Sequence, residues 1–308
     1  MKNSNAYPLF IMIAAFCWGI SGIFTKVITR HGFTPMEMGF IKTFIAMLIL
    51  MVYFSKKGKG VYKLKKKADL KDFITISIFG YSLYSVAYIF TVNEIGVGLA
   101  GAMLYTKTGL VLVFSSFVFG KKITLKSLLI IMLTILGCLC ISGVFSPQQV
   151  SITFKGIAWG VASGIGFAIY DVFGKRSLDK YSSETVTLYT FIIATILMGI
   201  LANPITTIVK IFQMNTLPFM ILYAMVVSVV PYLLYAKGLS KVDVSVAAVI
   251  STFELMVASV AGIVLYNESI TFLKIVGILF MISSVCVLSI SSSNKAAKRT
   301  NVGEIEYD

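Results

Sequence analysis

The sequence predicts an all-helical integral membrane protein whose ten transmembrane helices form two inverted repeats of five. Of its 308 residues, 57% are hydrophobic and only 13% are charged, and its mean hydropathy is +0.90. Soluble domains are closer to half apolar and a quarter charged. A single soluble core cannot bury this much apolar surface, because burial saturates as domains grow. The composition therefore excludes a soluble enzyme, a nucleic-acid-binding protein and a disordered chain.

Ten apolar stretches of about 20 residues are long enough to cross a bilayer. They cover residues 8–28, 36–54, 72–92, 97–118, 124–144, 156–173, 184–203, 216–236, 243–266 and 270–290. The first stretch is too long for the apolar part of a signal peptide, and no small-residue cleavage site follows it. We therefore expect it to be a helix of the mature protein. Residues 291–308 are polar, and we expect them to form a short cytoplasmic tail.

The distribution of basic residues predicts a multi-pass protein of the cell membrane with both termini in the cytoplasm. Eight of the 27 Lys and Arg residues lie between Lys56 and Lys71, as expected for a loop that faces anionic lipid. This clustering argues against a nucleic-acid partner despite the net charge of +14. With the N-terminus inside, 20 basic residues are cytoplasmic and four are external. The predominance of lysine over arginine is typical of AT-rich bacterial genomes.

The two halves of the chain resemble each other weakly at a shift of 147 positions. The segment FGKKIT at Phe119–Thr124 is similar to YNESIT at Tyr266–Thr271, and both precede the fifth span of their half. Because each half has five spans, the second half enters the membrane from the opposite side. The predicted domains are residues 1–147 and 148–290, one repeat each, followed by the tail. Inverted repeats are the architecture of many secondary transporters.

Ionisable side chains inside apolar spans are candidates for the functional site, because charge is costly in a bilayer. There are four such candidates: Lys42, Lys107, Asp171 and Glu254. Lys107 in the fourth span and Glu254 in the ninth span are also 147 positions apart. We hypothesise that both face one central cavity, where they either pair with each other or bind opposite ends of a zwitterionic solute. The alternative is a structural ion pair that joins the halves.

Glu254 and Asp171 are also candidates for proton coupling, since a carboxyl group in a dry site takes up a proton more readily. The alternative for Glu254 is a permanently ionised partner of Lys107. Asp171 has a second interpretation as the partner of Lys175, one helical turn away. Lys42 and Asp171 are also placed where a long or polar side chain reaches an interface.

Tyrosine and serine side chains share one face of the third span and one face of the eighth span. They are Tyr81, Tyr84, Ser85 and Tyr88, and Ser228, Tyr232 and Tyr235. Because tyrosine offers both an apolar ring and a hydrogen bond, such a lining suits amphipathic organic solutes better than bare ions. An interfacial aromatic belt is the alternative, and it fits Tyr53, Tyr223 and Tyr266 near the ends of spans. Pro231 predicts a kink in the eighth span.

Gly156, Gly160 and Gly164 form a ridge of small residues on the sixth span. Such a ridge allows close helix packing within the monomer, or a dimer interface. The sequence leaves the oligomeric state open and is compatible with a monomer.

Enzyme motifs are absent from the sequence, which contains no HExxH, GxSxG, P-loop or dinucleotide-binding glycine motif. His31 is the only histidine. We therefore predict no catalytic residues, no metal site and no cofactor.

Several segments resemble the EamA branch of the drug/metabolite transporter superfamily, over about residues 8–290. Trp18-Gly19-Ile20-Ser21 is similar to its early WG motif, and Leu265–Thr271 is similar to the end of its ninth helix. Phe253–Ala258 stands where the family often has a Glu-Pro pair, although Leu255 replaces the proline here. Lys121 stands where the first repeat of the family often has a glutamate.

The resemblance implies a secondary transporter of small organic solutes that works by alternating access, foremost an exporter of amino acids or related metabolites. It also implies a central cavity lined by helices 1, 3, 4, 6, 8 and 9. The residues expected to bind the solute are Lys107 and Glu254 at its charged ends, and Tyr84, Tyr88, Tyr232 and Trp18 at its apolar part. The alternatives are an uptake carrier or exchanger for another metabolite or drug, and a non-transporting scaffold or intramembrane enzyme.

Overall fold

The computed structural model describes residues 6–56, 59–120, 122–142, 153–266 and 271–284, and within these ranges it is built from α-helices joined by short turns. Eight helices in the described part of the chain are long and apolar enough to cross a membrane. Two further apolar helices, in the places of the fifth and tenth predicted spans, are shorter. In chain order the ten are α1 (Ala6–Arg30), α2 (Pro35–Ser55), α3 (Lys67–Gly96), α4 (Leu99–Phe119), α5 (Leu125–Ile141), α6 (Phe154–Leu178), α7 (Ser183–Ala202), α8 (Leu217–Leu239), α9 (Val244–Leu265) and α10 (Phe272–Ser284). The predicted tail and Lys121 lie outside the described residues.

Polar caps define where several helices begin. At the start of α2, the Thr34 hydroxyl accepts a hydrogen bond from the Glu37 amide, and the Glu37 carboxylate accepts one from the Thr34 amide. At the starts of α7 and α9, the side chains of Ser182 and Asp243 accept hydrogen bonds from the Thr185 and Ser245 amides. Because the first amides of a helix have no partner within the helix, these side chains allow short turns to connect long apolar helices.

Helices α3 and α8 each contain a π-helical segment, at Thr75–Ser82 and Met225–Val229. In α8 the segment directly precedes Pro231, which has no amide hydrogen and cannot continue the regular hydrogen-bond ladder. Helix α8 therefore has a π-helical turn close to Pro231, whereas the predicted kink stays a prediction. The two segments end 147 positions apart, the same shift that relates the sequence segments.

Helices α4 and α9 are interrupted near their middles. Regular α4 geometry stops at Leu104 and resumes at Lys107, and α9 stops at Ser251 and resumes at Phe253. The first segments of the two helices end 147 positions apart, and the second segments begin 146 positions apart. Backbone carbonyls released at such breaks need other partners, so breaks within a membrane occur where protein or a cavity surrounds them.

The glycine ridge of α6 packs against other helices of the same chain. A Cβ atom on Gly160 would lie 2.7 Å from the Cβ of Met103, and one on Gly166 would lie 2.7 Å from the backbone nitrogen of Tyr84. Side chains larger than hydrogen would push α6 away from α3 and α4. The prediction of close packing within the monomer is confirmed for this ridge.

Polar contacts gather at the two opposite ends of the bundle. At one end, which we call the Asp69 end, Asp69 accepts hydrogen bonds from Lys180 Nζ at 2.8 Å and from the Tyr181 hydroxyl at 2.7 Å. At the other, the Lys210 end, Lys210 Nζ lies 3.0 Å from the Glu37 carboxylate. The predicted cytoplasmic loops meet at the Asp69 end and the predicted external loops at the Lys210 end. Which end faces the cytoplasm stays a prediction.

One helix was not predicted from the sequence. Pro204–Gln213 forms a short amphipathic helix between α7 and α8, with Ile205 75% exposed and Phe212 63% exposed, whereas Ile211 is buried. At ten residues it is too short to span a membrane, so the search for apolar stretches passed over it. Pro204 at its first position was the available signal.

We expect replacement of Gly166 by alanine to destabilise the protein by about 1–3 kcal/mol, because the added methyl group overlaps the backbone of α3. The matched control is Gly22→Ala, since a Cβ there meets no atom within 4 Å. Thermal unfolding of the two purified variants measures the difference. Equal melting temperatures would contradict the packing described here.

Candidate functional site

A cavity of about 340 Å³ lies among α1, α2, α3, α4, α6, α8 and α9. Its walls extend to Thr29, Pro35 and Asn93 at the Lys210 end of the bundle. No residue of the Asp69 end belongs to the lining within the described part of the chain. The cavity is therefore entered from one end only and stops inside the bundle. All six helices expected from the resemblance contribute residues to the lining of the cavity, and α2 contributes further ones.

An aromatic floor closes the inner end of the cavity. The hydroxyl groups of Tyr84 and Tyr232 are hydrogen-bonded at 2.7 Å. The Tyr84 ring stacks on Phe167 with 4.8 Å between the ring centres, and the Trp18 ring lies 5.1 Å from that of Tyr232 in an edge-to-face arrangement. Since Tyr84 belongs to the first half and Tyr232 to the second, the floor joins the two halves.

The aromatic residues chosen from the sequence all line the cavity: Trp18, Tyr84, Tyr88 and Tyr232. Their contact with a solute stays a prediction. The belt interpretation is wrong for Tyr223, which is 4% exposed and lines the cavity. The reason is that the unpredicted amphipathic helix covers this region, so that Tyr223 packs in one apolar cluster with Met38 and Ile211. Tyr53, at 50% exposure, has the position expected of a belt residue. The Tyr266 side chain lies outside the described part.

Lys107 and Asp171 form a fully buried ion pair. Lys107 Nζ lies 3.8 Å from Asp171 Oδ2, and both side chains have no exposed surface. The other carboxylate oxygen of Asp171 accepts a hydrogen bond from the Tyr235 hydroxyl at 2.6 Å. The ammonium of Lys107 also lies 3.2 Å from the centre of the Phe167 ring, within range of a cation–π interaction. The pair thus connects α4 to α6 and, through Tyr235, to α8.

This pairing corrects two expectations. The carboxylate within ion-pair distance of Lys107 is Asp171 and not Glu254, because the glycine ridge brings α6 against the broken part of α4. Lys107 does not line the cavity in this conformation, since the Phe167 ring lies between it and the lumen. The proposed local pair of Asp171 with Lys175 is also wrong. The contacts of Lys175 Nζ include the carbonyl oxygens of Leu239 and Ser240, at 2.8 and 2.9 Å.

Glu254 lines the cavity as expected. It lies in the first turn of the second segment of α9, where the helix dipole favours a negative charge. Helix α1 passes close by, because a Cβ on Gly19 would lie 2.7 Å from the carbonyl oxygen of Glu254. The glycine of the WG motif thus allows the approach that places Trp18 and Glu254 in one cavity.

Lys42 is the residue that the sequence analysis did not select as a binding residue. It lines the cavity, and its Nζ lies 5.6 Å from the centre of the Tyr81 ring. The signal was present in the sequence, because Pro35, Met38, Gly39 and Lys42 have the spacing of one helix face and all four line the cavity.

Within the described residues, no cluster of His, Cys, Asp and Glu is arranged to hold a metal ion.

Comparison with known proteins identifies the family. The model of the EamA-like transporter family matches the chain twice, over residues 6–143 and 154–290. The chain is 21% identical to the uncharacterized inner membrane transporter YicL of Salmonella typhimurium, over 96% of this chain and 99% of the relative. It is 24% identical to the uncharacterized transporter YwfM of Bacillus subtilis, over 93% and 95% respectively.

A solved structure shares the fold. A protein crystal structure superposes with a TM-score of 0.75 over 95% of this chain and 99% of that chain, at 13% sequence identity. The relatives are bacterial transporters and, in Archaeoglobus fulgidus, archaeal ones. Their names indicate transport and not enzymatic activity. The chain is a multi-pass membrane protein that belongs to the EamA-like transporter family.

Proposed function

We propose that the protein is a secondary transporter that moves small organic solutes, foremost amino acids or related zwitterions, across the cell membrane by alternating access. The cavity is the observation that supports this proposal. Its volume of about 340 Å³ suits a metabolite of amino-acid size. It opens at one end, and at the other it stops at an aromatic floor between the halves. Export is the direction implied by the family resemblance.

The contacts at the Asp69 end suit a gate that opens during transport. Asp69, near the start of α3, binds Lys180 and Tyr181, which follow α6, and Asp72 lies 3.8 Å from Arg176. The hydrogen bond with Asp69 raises the pKa of Lys180, so this ammonium stays charged at neutral pH. Partly exposed pairs of this kind contribute at most about 1 kcal/mol each. They hold this end closed without making its opening costly.

We further propose that residues 1–147 and 148–290 are structural repeats of opposite orientation. Three features support the shift of 147 positions: the sequence segments, the ends of the π-helical segments, and the positions at which α4 and α9 break off. The family model also matches each half separately. In transporters with inverted repeats, the halves exchange conformations, which moves the opening from one side to the other.

Glu254 is the better candidate for proton coupling. It lines the cavity, so a proton and a solute both have access to it. Asp171, the other candidate, is fully buried and already binds Lys107 and Tyr235. Glu254, Trp18, Tyr84, Tyr88 and Tyr232 therefore form the proposed solute contacts, whereas solute binding by Lys107 requires the Phe167 ring to move.

Counterflow in proteoliposomes tests the proposed function. Vesicles loaded with unlabelled amino acid should accumulate the labelled form transiently without an ion gradient. Comparing this flux with the flux from vesicles loaded with the labelled form tests export against uptake. Ser21→Trp places an indole ring in the lining of the cavity and should abolish counterflow, whereas Gly22→Trp at the neighbouring exposed position of α1 should not. Absence of counterflow for every amino acid would reject these substrates. Turnover of lipid or peptide would instead support an intramembrane enzyme.

We expect Glu254→Gln to retain counterflow at higher solute concentration, because one solute contact is weakened, but to lose the stimulation of flux by a pH gradient, because the amide neither takes up nor releases a proton at neutral pH. Flux with and without an imposed gradient measures this. Asp171→Asn is the parallel variant for the second candidate. If the pH gradient still stimulates flux in Glu254→Gln but no longer does so in Asp171→Asn, the coupling residue is Asp171 and not Glu254.

Replacing Lys107 by methionine tests the buried ion pair. The change leaves the Asp171 carboxylate buried without a cation, which costs about 3–5 kcal/mol. Thermal unfolding should therefore show a large loss of stability, and the double variant with Asp171→Asn should recover most of it. Lys155→Met is the control, because Lys155 is 68% exposed in its pair with Glu94. A single variant as stable as the wild type would contradict the structural role.

A further inference from the structure

We propose that Lys42 is the anion-binding residue of the cavity, and that the cavity takes solutes in which a carboxylate and an ammonium group accompany an apolar side chain. This inference rests on the proposed transport function and adds the residue that determines specificity. Binding of the anionic end of the solute, expected from the sequence for Lys107 on α4, is thereby assigned to Lys42 on α2.

The first argument is the position of the ammonium group. Lys42 is about 10 Å along α2 from Pro35, given a rise of 1.5 Å per residue. Its side chain is half-buried, and its Nζ lies 5.6 Å from the centre of the Tyr81 ring. Tyr81 is completely buried beneath the floor of the cavity. The ammonium therefore lies at the inner end of the cavity and not at the membrane surface.

The second argument is charge compensation. Among the described residues, no carboxylate lies within 4.0 Å of Lys42 Nζ, whereas Lys107 has Asp171 at 3.8 Å. A cation inside a membrane protein is costly unless an anion or water compensates it. Lys42 borders the lumen, so a solute anion has direct access to its ammonium. Lys107 lies behind the Phe167 ring and already has a protein partner.

The third argument is an unpartnered hydroxyl group in the same cavity lining. Ser85 lines the cavity with only 5% exposure, and its hydroxyl has no hydrogen-bond partner of good geometry in the described residues. An ammonium and an unpartnered hydroxyl donor in one lining suit a carboxylate, which accepts several hydrogen bonds and pairs with a cation.

The fourth argument is the opposite charge on the opposing wall. Glu254 on α9 lines the same cavity, so the two charged residues of its lining have opposite signs. A zwitterion satisfies both when its carboxylate points to Lys42 and its ammonium to Glu254. Trp18, Phe167 and Tyr232 then provide the apolar surface for its side chain. Amino acids with apolar or aromatic side chains have this distribution of charge and surface.

Binding of matched ligand pairs tests the inference. The probes are L-phenylalanine, L-leucine and L-methionine, each compared with its amide, which keeps the ammonium and side chain but lacks the carboxylate. Trp18 reports binding by fluorescence in a Trp159→Phe background, since the chain has two tryptophans and Trp159 stacks on Phe90 instead of lining the cavity. Counterflow of the same amino acids in proteoliposomes provides a second readout.

We expect the protein with native Lys42 to bind at least one of the amino acids about 10- to 100-fold more tightly than its amide, the range of a charge-assisted hydrogen bond. Lys42→Gln should remove this difference by weakening the amino acid alone, and Lys42→Arg should retain most of it. Unchanged affinity of Lys42→Gln for the amide shows that the variant is folded.

Three results would overturn the inference. If Lys42→Gln discriminates between amino acid and amide as well as the parent protein, or weakens both ligands equally, Lys42 does not bind the carboxylate. In either case, counterflow by the parent protein leaves the transport proposal intact. If the parent protein neither binds nor exchanges any of the amino acids, both the transport of amino acids and the role of Lys42 fail.

Discussion

The buried ion pair between Lys107 and Asp171 is the interaction on which the arrangement of the site depends. Two opposite charges inside a bilayer are tolerated only when they compensate each other closely. The pair lies across the contact between α4 and α6, and Tyr235 attaches α8 to the same carboxylate. Because Asp171 compensates Lys107, the charges left on the cavity wall are those of Lys42 and Glu254. The ion pair thus separates a structural charge cluster from a solute-facing one.

Close helix packing is the condition for this pair. The glycines of α6 let its backbone approach α3 and α4 more closely than any larger residue would allow. The same approach stacks Phe167 on Tyr84 and presses it against Lys107. The Phe167 side chain therefore belongs to the lining of the cavity and also contacts the buried ammonium of Lys107. Its position links the stability of the bundle to the shape of the floor.

Hydropathy alone predicted the ten apolar helices, because span length and apolar composition are local properties of the sequence. Spacing alone placed Tyr84, Tyr88 and Tyr232 on cavity faces. The partner of Lys107 was beyond such reasoning, since it depends on how α6 is rotated against α4. The amphipathic helix was missed because a sequence search for spans ignores ten-residue segments, and this omission also misplaced Tyr223.

The charged residues that would bind a solute are positions at which the proposed repeats differ. At the shift of 147 positions, Lys107 corresponds to Glu254, and Lys42 corresponds to Tyr189. Tyr189 lies at the closed end, where its hydroxyl donates to the carbonyl of Tyr62 and its ring packs 4.9 Å from that of Phe73. Two similar halves allow the bundle to exchange its open and closed ends. A solute with two different charged groups, however, requires a site in which the halves contribute different side chains. Symmetry in the backbone and asymmetry in the ionisable residues are therefore complementary requirements of the proposed transport cycle.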